Sequence, residues 1–267
     1  MSLYLGREIL KRFRGPKRRG GRGDDPRKSH RTLASPRMRA GEQTVACFAL
    51  TDVGRVRERN EDHFFVADLH DGFLCSEGNA APAAETMGCS VPNPNLLVVA
   101  DGVGGNPGGQ LASRLAVEGV VEYLRCRQGK LENDHRDERV LDELQRALEW
   151  AHRRIACHAD NWPEYASMGT TLTLAYLVGS SVYIGHVGDS RAYLCRGGEL
   201  LQLTHDQTFA QLLADAGVLD RSLVCRHPLS NVLGSVVCCD REQLIPQLAK
   251  ADLRPGDWLL LCTDGLT

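Results

Sequence analysis

Two hydrophobic periodicities divide the chain. In its middle third, apolar residues return every three or four positions. Leu111, Leu115, Val117, Val120, Val121 and Leu124 put one broad apolar face on a helix over residues 110–124. Leu141, Leu144, Leu148, Ala151 and Ile155 repeat the spacing and predict a second amphipathic helix, ending near 157–160, before Pro163. Residues 130–136 between them read as a polar connector.

Elsewhere the pattern is that of strands. Residues 44–50 and 63–69 are rich in β-formers, and Leu96-Leu-Val-Val-Ala is a continuous apolar run that predicts a strand buried on both faces. Strands are expected at 170–178, 181–188, 191–196 and 199–203, the last two joined by the hairpin dipeptide Gly197-Gly198. Phe209, Leu212, Leu213 and Ala216 predict a short helix stopped by Gly217, and 218–234 reads as loop. A strand at 242–248 is weakened by Pro246, and 258–262 is the last expected strand. Residues 71–95, with Gly, Pro, Ala, Ser and Asn and little periodicity, are expected to be a mobile surface insertion. Strands, then two long helices, then a run of strands predict an α+β protein with antiparallel sheets covered by helices, rather than alternating β-α-β.

Composition is that of a water-exposed globular chain, with 267 residues, 42% hydrophobic and 25% charged. No apolar run approaches the roughly 18 residues of a membrane span, and residues 1–14 lack the apolar core of a secretory signal. The 10 cysteines include no Cys-x-x-Cys pair. They read as free, buried thiols and place the protein in a reducing, cytoplasmic compartment. Charge is uneven: thirteen basic and three acidic residues up to Ala40 give a local +10, which leaves −12 on the remainder of a chain whose net charge is −2. Residues 1–42 are therefore expected to be a basic disordered tail, and 43–267 the folded domain. Such a tail suits contact with an acidic partner, a lipid surface or nucleic acid, although no aromatic interleaving supports base stacking.

Candidate chemistry lies at the strand ends. Val98-Val-Ala-Asp101-Gly, Ile184-Gly-His-Val-Gly-Asp189-Ser and Leu260-Leu-Cys-Thr-Asp264-Gly share one grammar, and Glu61-Asp62 opens a strand. A single Asp after a strand is usually a turn former. If these ends converge, several carboxylates share a small volume, their pKa values rise unless cations neutralise them, and oxygen-only ligands select Mg²⁺ or Mn²⁺ over Zn²⁺. The glycines after Asp101 fit neither nucleotide motif: Pro107 stands where a dinucleotide fingerprint needs its third glycine, and Gln110 follows Gly109 where a P-loop needs lysine.

Five segments, in order, resemble the metal-dependent protein serine/threonine phosphatases of type 2C, the PPM family. They are Thr51-Asp-x-Gly-x-x-Arg57-x-x-Asn60-Glu61-Asp62, Val99-Ala-Asp101-Gly-x-Gly-Gly, Met168-Gly-Thr-Thr-Leu, Gly188-Asp189-Ser-Arg191 and Leu261-Cys-Thr-Asp264-Gly-Leu. The resemblance covers residues 44–267 and is strongest to bacterial members. It implies an α-β-β-α sandwich of two antiparallel sheets. It implies a hydrolase that removes phosphate from phosphoserine and phosphothreonine in kinase signalling, using a binuclear Mn²⁺ or Mg²⁺ centre and a metal-bridging hydroxide. Asp101 would bridge the two metals. Glu61 and the Gly102 carbonyl would serve one, partly through water and supported by Asp62; Asp264 would bind the other, and Asp189 a third, weaker one. Arg57 would hold the substrate phosphate. Phosphorylated proteins and a cognate Ser/Thr kinase are the implied partners of a monomeric enzyme.

Three departures stand out. Val103 occupies the place of a His found in animal members, and Thr204-His-Asp206-Gln207 has Gln where the family has a second His. Residues 203–234 correspond to the family's variable flap. Family members also continue past Asp-Gly-Leu to a final Asp that shares a metal with Asp264, so a chain ending at Thr267 is expected to be weakly active or inactive. The alternative reading is a pseudophosphatase that binds a phosphoprotein or kinase without catalysis.

Overall fold

The computed structural model describes residues 2–5, 45–55, 57–69, 73–77, 87–89, 94–103, 107–133, 136–238 and 244–266. Strands β1 (Ser2–Leu5), β2 (Cys47–Thr51), β3 (Asp62–Asp68), β4 (Phe73–Glu77), β5 (Met87–Cys89) and β6 (Leu96–Val103) precede helices α1 (Pro107–Asn133) and α2 (Asp137–Asn161). Then come β7 (Gly169–Thr170), β8 (Leu172–Val178), β9 (Ser181–Val187), β10 (Arg191–Arg196), β11 (Glu199–Gln202), α3 (Phe209–Asp215), β12 (Val237–Cys238), β13 (Gln247–Asp252) and β14 (Trp258–Cys262).

The strands form two antiparallel sheets. One runs β11-β10-β14-β1-β2-β5; the other runs β4-β3-β6-β8-β9-β13, with β7 continuing the pairing of β6 and β12 beyond it. Side-chain alternation sorts the core into two layers. Phe64, Val66, Leu97, Val99, Ala175 and Ile184 meet Ala49, Ala192, Leu259 and Leu261 between the sheets. Phe65, Ala67, Leu96, Val98, Ala100 and Leu174 face the other way, against Val120, Leu124, Leu144, Leu148 and Ile155 of the helices. That is why the run at Leu96 is continuously apolar: both faces of β6 are covered. Among the described residues, both long helices lie on this one sheet.

The structure departs from the sequence reading at several places. Ser2–Leu5 fall in the tail expected to be disordered, yet they pair with both β14 and β2. Those neighbours each offer an edge whose backbone groups need partners, and a four-residue strand supplies them without any periodic pattern. Residues 6–44, which carry the tail's positive charge, lie outside the described residues. The expected insertion at 71–95 contributes two strands, because Phe73-Leu-Cys supplies β-formers opposite β3 and Met87–Cys89 pairs with β2; residues 78–86 and 90–93 lie outside the described residues.

Helix α1 is much longer than 110–124. It starts at Pro107, a residue preorganised for the first helical position, and runs through the polar stretch because Leu131 is still buried in the core. Strand β13 begins only after Pro246 and pairs with β9 on one side, as an edge. Gly197 and Gly198 both have positive φ, 59° and 88°, as a two-residue hairpin requires.

Candidate metal centre

Asp62 and Asp101 sit directly opposite each other on β3 and β6. Each is two residues along from a side chain of the inter-sheet core, Phe64 and Val99, so both project on that face, at the end of the sandwich. Asp101 lies within β6, not at its end as expected; the strand continues to Val103 because β7 pairs with Gly102 and Val103. The other sheet delivers the next acid. Where β14 runs out, the Thr263 hydroxyl donates to Asp62 Oδ2 at 2.9 Å, and Asp264 shares a hydrogen bond with Asp101. Asp189, just beyond β9, is close enough for its charge to act on Asp101.

The electrostatics follow from this crowding. Burial pushes the Asp101 carboxyl up, and the charges of Asp62, Asp264 and Asp189, with the Asp264 hydrogen bond, carry it to about 9. With no cation bound, Asp101 keeps its proton at neutral pH and donates it to Asp264. Asp189 is raised to about 6, by burial and then by Asp264 and Asp206. Arg191 offers Asp189 only partial relief, because Asp206 takes its guanidinium: Nε lies 2.9 and 3.0 Å from the two carboxylate oxygens and Nη2 2.5 Å from one.

Glu61 and Gly102 form the second part of the site. The Glu61 carbonyl accepts from Gly102 N–H at 3.2 Å and from the Ser113 hydroxyl at 2.7 Å. A Cβ on Gly102 would fall on the Gly109 carbonyl, and a Cβ on Gly109 would lie 3.2 Å from Glu61 Oε1. The glycines therefore let β6, the first turn of α1 and the Glu61 carboxylate share one space.

Of the residues singled out by sequence, Asp62, Asp101, Asp189 and Asp264 are brought together, with Glu61 and Gly102 alongside. Arg57 is not: it is exposed on the loop before β3, and among the described residues none of the hydrogen bonds and ion pairs joining the acids involves it. Nor do any three His, Cys, Asp or Glu side chains among the described residues already close on one point at metal-ligand spacing. The donor set is nonetheless all oxygen and crowded with carboxylates, the chemistry that fits a hard divalent cation.

Sequence reasoning missed the hydroxyls that hold the acids. Thr263 orients Asp62; the Thr170 hydroxyl donates to the Asp101 carbonyl at 2.8 Å; Thr171 and Ser190 join the chain segments carrying Asp101 and Asp189. Met168-Gly-Thr-Thr and Asp189-Ser-Arg191 were visible as motif pieces, but nothing in their spacing says which hydroxyl reaches which acid.

The protein phosphatase 2C family profile matches residues 85–267, which include Asp101, Gly102, Asp189 and Asp264. The chain belongs to the protein phosphatase 2C family. This 2C-family chain is 34% identical over 172 residues to the serine/threonine protein phosphatase PstP of Mycobacterium tuberculosis, covering 64% of this chain and 32% of the relative. It thus spans about a third of the length of that relative. It is 29% identical over 217 residues to the serine/threonine phosphatase stp of Listeria welshimeri, covering 81% of this chain and 76% of the relative. Its fold is similar to the catalytic domain of PstP solved in complex with two manganese ions, with a TM-score of 0.60 and 30% identity over 84% of this chain and 80% of that one. The two-sheet architecture seen here is accordingly that of the 2C phosphatases.

Proposed function

We propose that this chain hydrolyses phosphoserine and phosphothreonine in proteins, with Mn²⁺ or Mg²⁺ held by Asp101, Asp264, Asp189, Glu61 and the Gly102 carbonyl, and with Asp62 in support. The observation that carries the reading is the state of Asp101, a carboxylate at the end of the core on which three other acids act. Such a group is costly to ionise alone and well suited to a divalent cation. The likeness to phosphatases, one of them solved with two manganese ions, supports the same assignment.

Bound Mn²⁺ or Mg²⁺ supplies positive charge for the phosphoryl oxygens and makes water acidic enough to attack at neutral pH. The chain's own residues do the rest. Asp101 would have to release its proton to serve as a ligand. The Thr263 hydroxyl holds Asp62 in one orientation. Arg57, exposed on the loop that leads into Glu61, would hold the substrate phosphate through its guanidinium. None of the cysteines is needed as a nucleophile.

In this reading the substrates are products of a Ser/Thr kinase in the cytoplasm, and the basic residues before Ala40 make an electrostatic contact with an acidic partner. Among the described residues no helix is long and apolar enough to cross a membrane. The test is phosphate release from a phosphothreonine peptide. The reading predicts release that requires Mn²⁺ and disappears in Asp101→Asn, with Arg57→Ala raising KM more than it lowers kcat. Release indifferent to Mn²⁺ or to Asp101→Asn would contradict it. Mn²⁺ bound without turnover would favour a pseudophosphatase.

A further inference from the structure

Between β7 and β8 the ladder to β6 is interrupted at a single residue, Thr171. The register is continuous on both sides, with Gly102 opposite Thr170 and Val99 opposite Thr173, which places Asp101 opposite Thr171. Thr171 N–H donates to the Asp101 carbonyl at 2.8 Å, as a ladder requires. The return bond is different: Asp101 N–H donates to the Thr171 hydroxyl oxygen at 3.0 Å, while the Thr171 carbonyl accepts from the Thr170 hydroxyl at 2.8 Å. A side chain has replaced the backbone as partner of the central acid's peptide.

The same hydroxyl reaches the other acid. Thr171 Oγ1 lies 2.7 Å from Ser190 Oγ, and Ser190 is the residue after Asp189. The Ser190 carbonyl accepts from the Thr173 hydroxyl at 3.3 Å. On the other side of Asp189, a Cβ on Gly188 would lie 2.7 Å from the Thr171 methyl, and Gly188 takes a φ of 108°. Thr171, Thr173 and Ser190 are all buried. The loop carrying Asp189 is thus seated on Thr171 by packing before the acid and by a hydroxyl pair after it.

We propose that Thr171 is a positioning residue that fixes the spacing of Asp101 and Asp189, so that divalent-cation binding at the two acids depends on one buried hydroxyl pair, Thr171–Ser190. The proposal rests on the metal-centre reading above. Thr171 touches neither cation nor substrate; it acts through the Asp101 peptide and the Asp189 loop. Loss of its hydroxyl leaves Asp101 N–H and Ser190 Oγ unpaired in the interior, which favours movement of both segments.

The experiment is a calorimetric titration of the full chain with Mn²⁺, alongside thermal melts. Thr171→Val keeps the methyl packing and removes the hydroxyl; Thr171→Ser restores the hydroxyl. We expect Thr171→Val to weaken Mn²⁺ binding about 10-fold, the scale of orienting groups around metal ligands, and Thr171→Ser to bind like the wild type. A purely structural Thr171 would lower Tm and leave Mn²⁺ affinity unchanged at temperatures where the variant is folded, and that result overturns the proposal. Should Thr171→Val not fold, Ser190→Ala cuts only the hydroxyl pair: weakened Mn²⁺ binding in the folded variant supports the proposal, and unchanged binding overturns it. Wild-type chain that takes up no Mn²⁺ overturns the metal-centre reading and this inference together, whereas equal binding by wild type and variants overturns this inference alone.

Discussion

Asp101 sets the residue-scale behaviour of the molecule. Its folded-state pKa of about 9 stands far above the ordinary 3.8 of an aspartate, so between those values the folded chain binds a proton that the unfolded chain has released. The contribution of Asp101 to metal-free stability is full below about pH 4 and is lost as pH rises toward 9. Thermal melts in chelator at pH 6 and pH 8.5 check this: Tm is expected to drop at the higher pH. In Asp101→Asn, which carries no titrating proton at that position, most of the drop is expected to vanish. The carboxylates were legible in the sequence because an apolar strand followed by Asp-Gly is a local pattern. Thr171, Ser190 and Thr263 were not, because a hydroxyl has no periodicity and its partner is set by the register of strands far apart in the chain. Arg57 was read only through resemblance, and the structure leaves it on an exposed loop.

At the scale of elements, the site depends on how closely β6 approaches the start of α1. Gly102 and Gly109 allow backbone to meet backbone there. Gly102→Ala would drive a methyl into the Gly109 carbonyl, a contact between two main chains that cannot move aside cheaply. Urea unfolding is expected to show a loss of about 2–3 kcal/mol, at the upper end for overpacking, together with weaker Mn²⁺ uptake. Behind the site, Leu148 of α2 is fully buried and packs where a Cβ on Gly185 of β9 would lie 3.0 Å from its methyl. Leu148→Ala is expected to cost about 2–5 kcal/mol without altering Mn²⁺ affinity in the folded state, which separates scaffold from site. Both long helices were legible from their apolar spacing. The extra turns of α1 were not: Pro107-Gly-Gly reads locally as a bend, and past Leu124 the helix is mostly polar, with Leu131 buried near its far end and Arg127 paired to Glu143 of α2.

For the whole molecule, the order of strands and helices was enough to expect two antiparallel sheets with helical cover. How the strands divide between sheets was not readable, since β13 and β14 are neighbours in the chain and go to different sheets. That division matters, because it brings Asp264 on one sheet to Asp62 and Asp101 on the other. A cation held across this junction, as proposed, would tie the two sheets together and stabilise the fold by mass action. At a free Mn²⁺ concentration about 100 times Kd the gain is about 2.7 kcal/mol, which for a domain of this size raises Tm by about 5–10 °C. No such rise is expected in Asp101→Asn.

The most direct measurement is the stoichiometry of Mn²⁺ binding, by calorimetry at neutral pH, for the wild-type chain and for Asp101→Asn. If Asp101 is the ligand shared between cations, the wild type takes up two Mn²⁺ per chain with release of protons, and Asp101→Asn loses both sites together. Wild-type stoichiometry and affinity retained in Asp101→Asn would contradict the account.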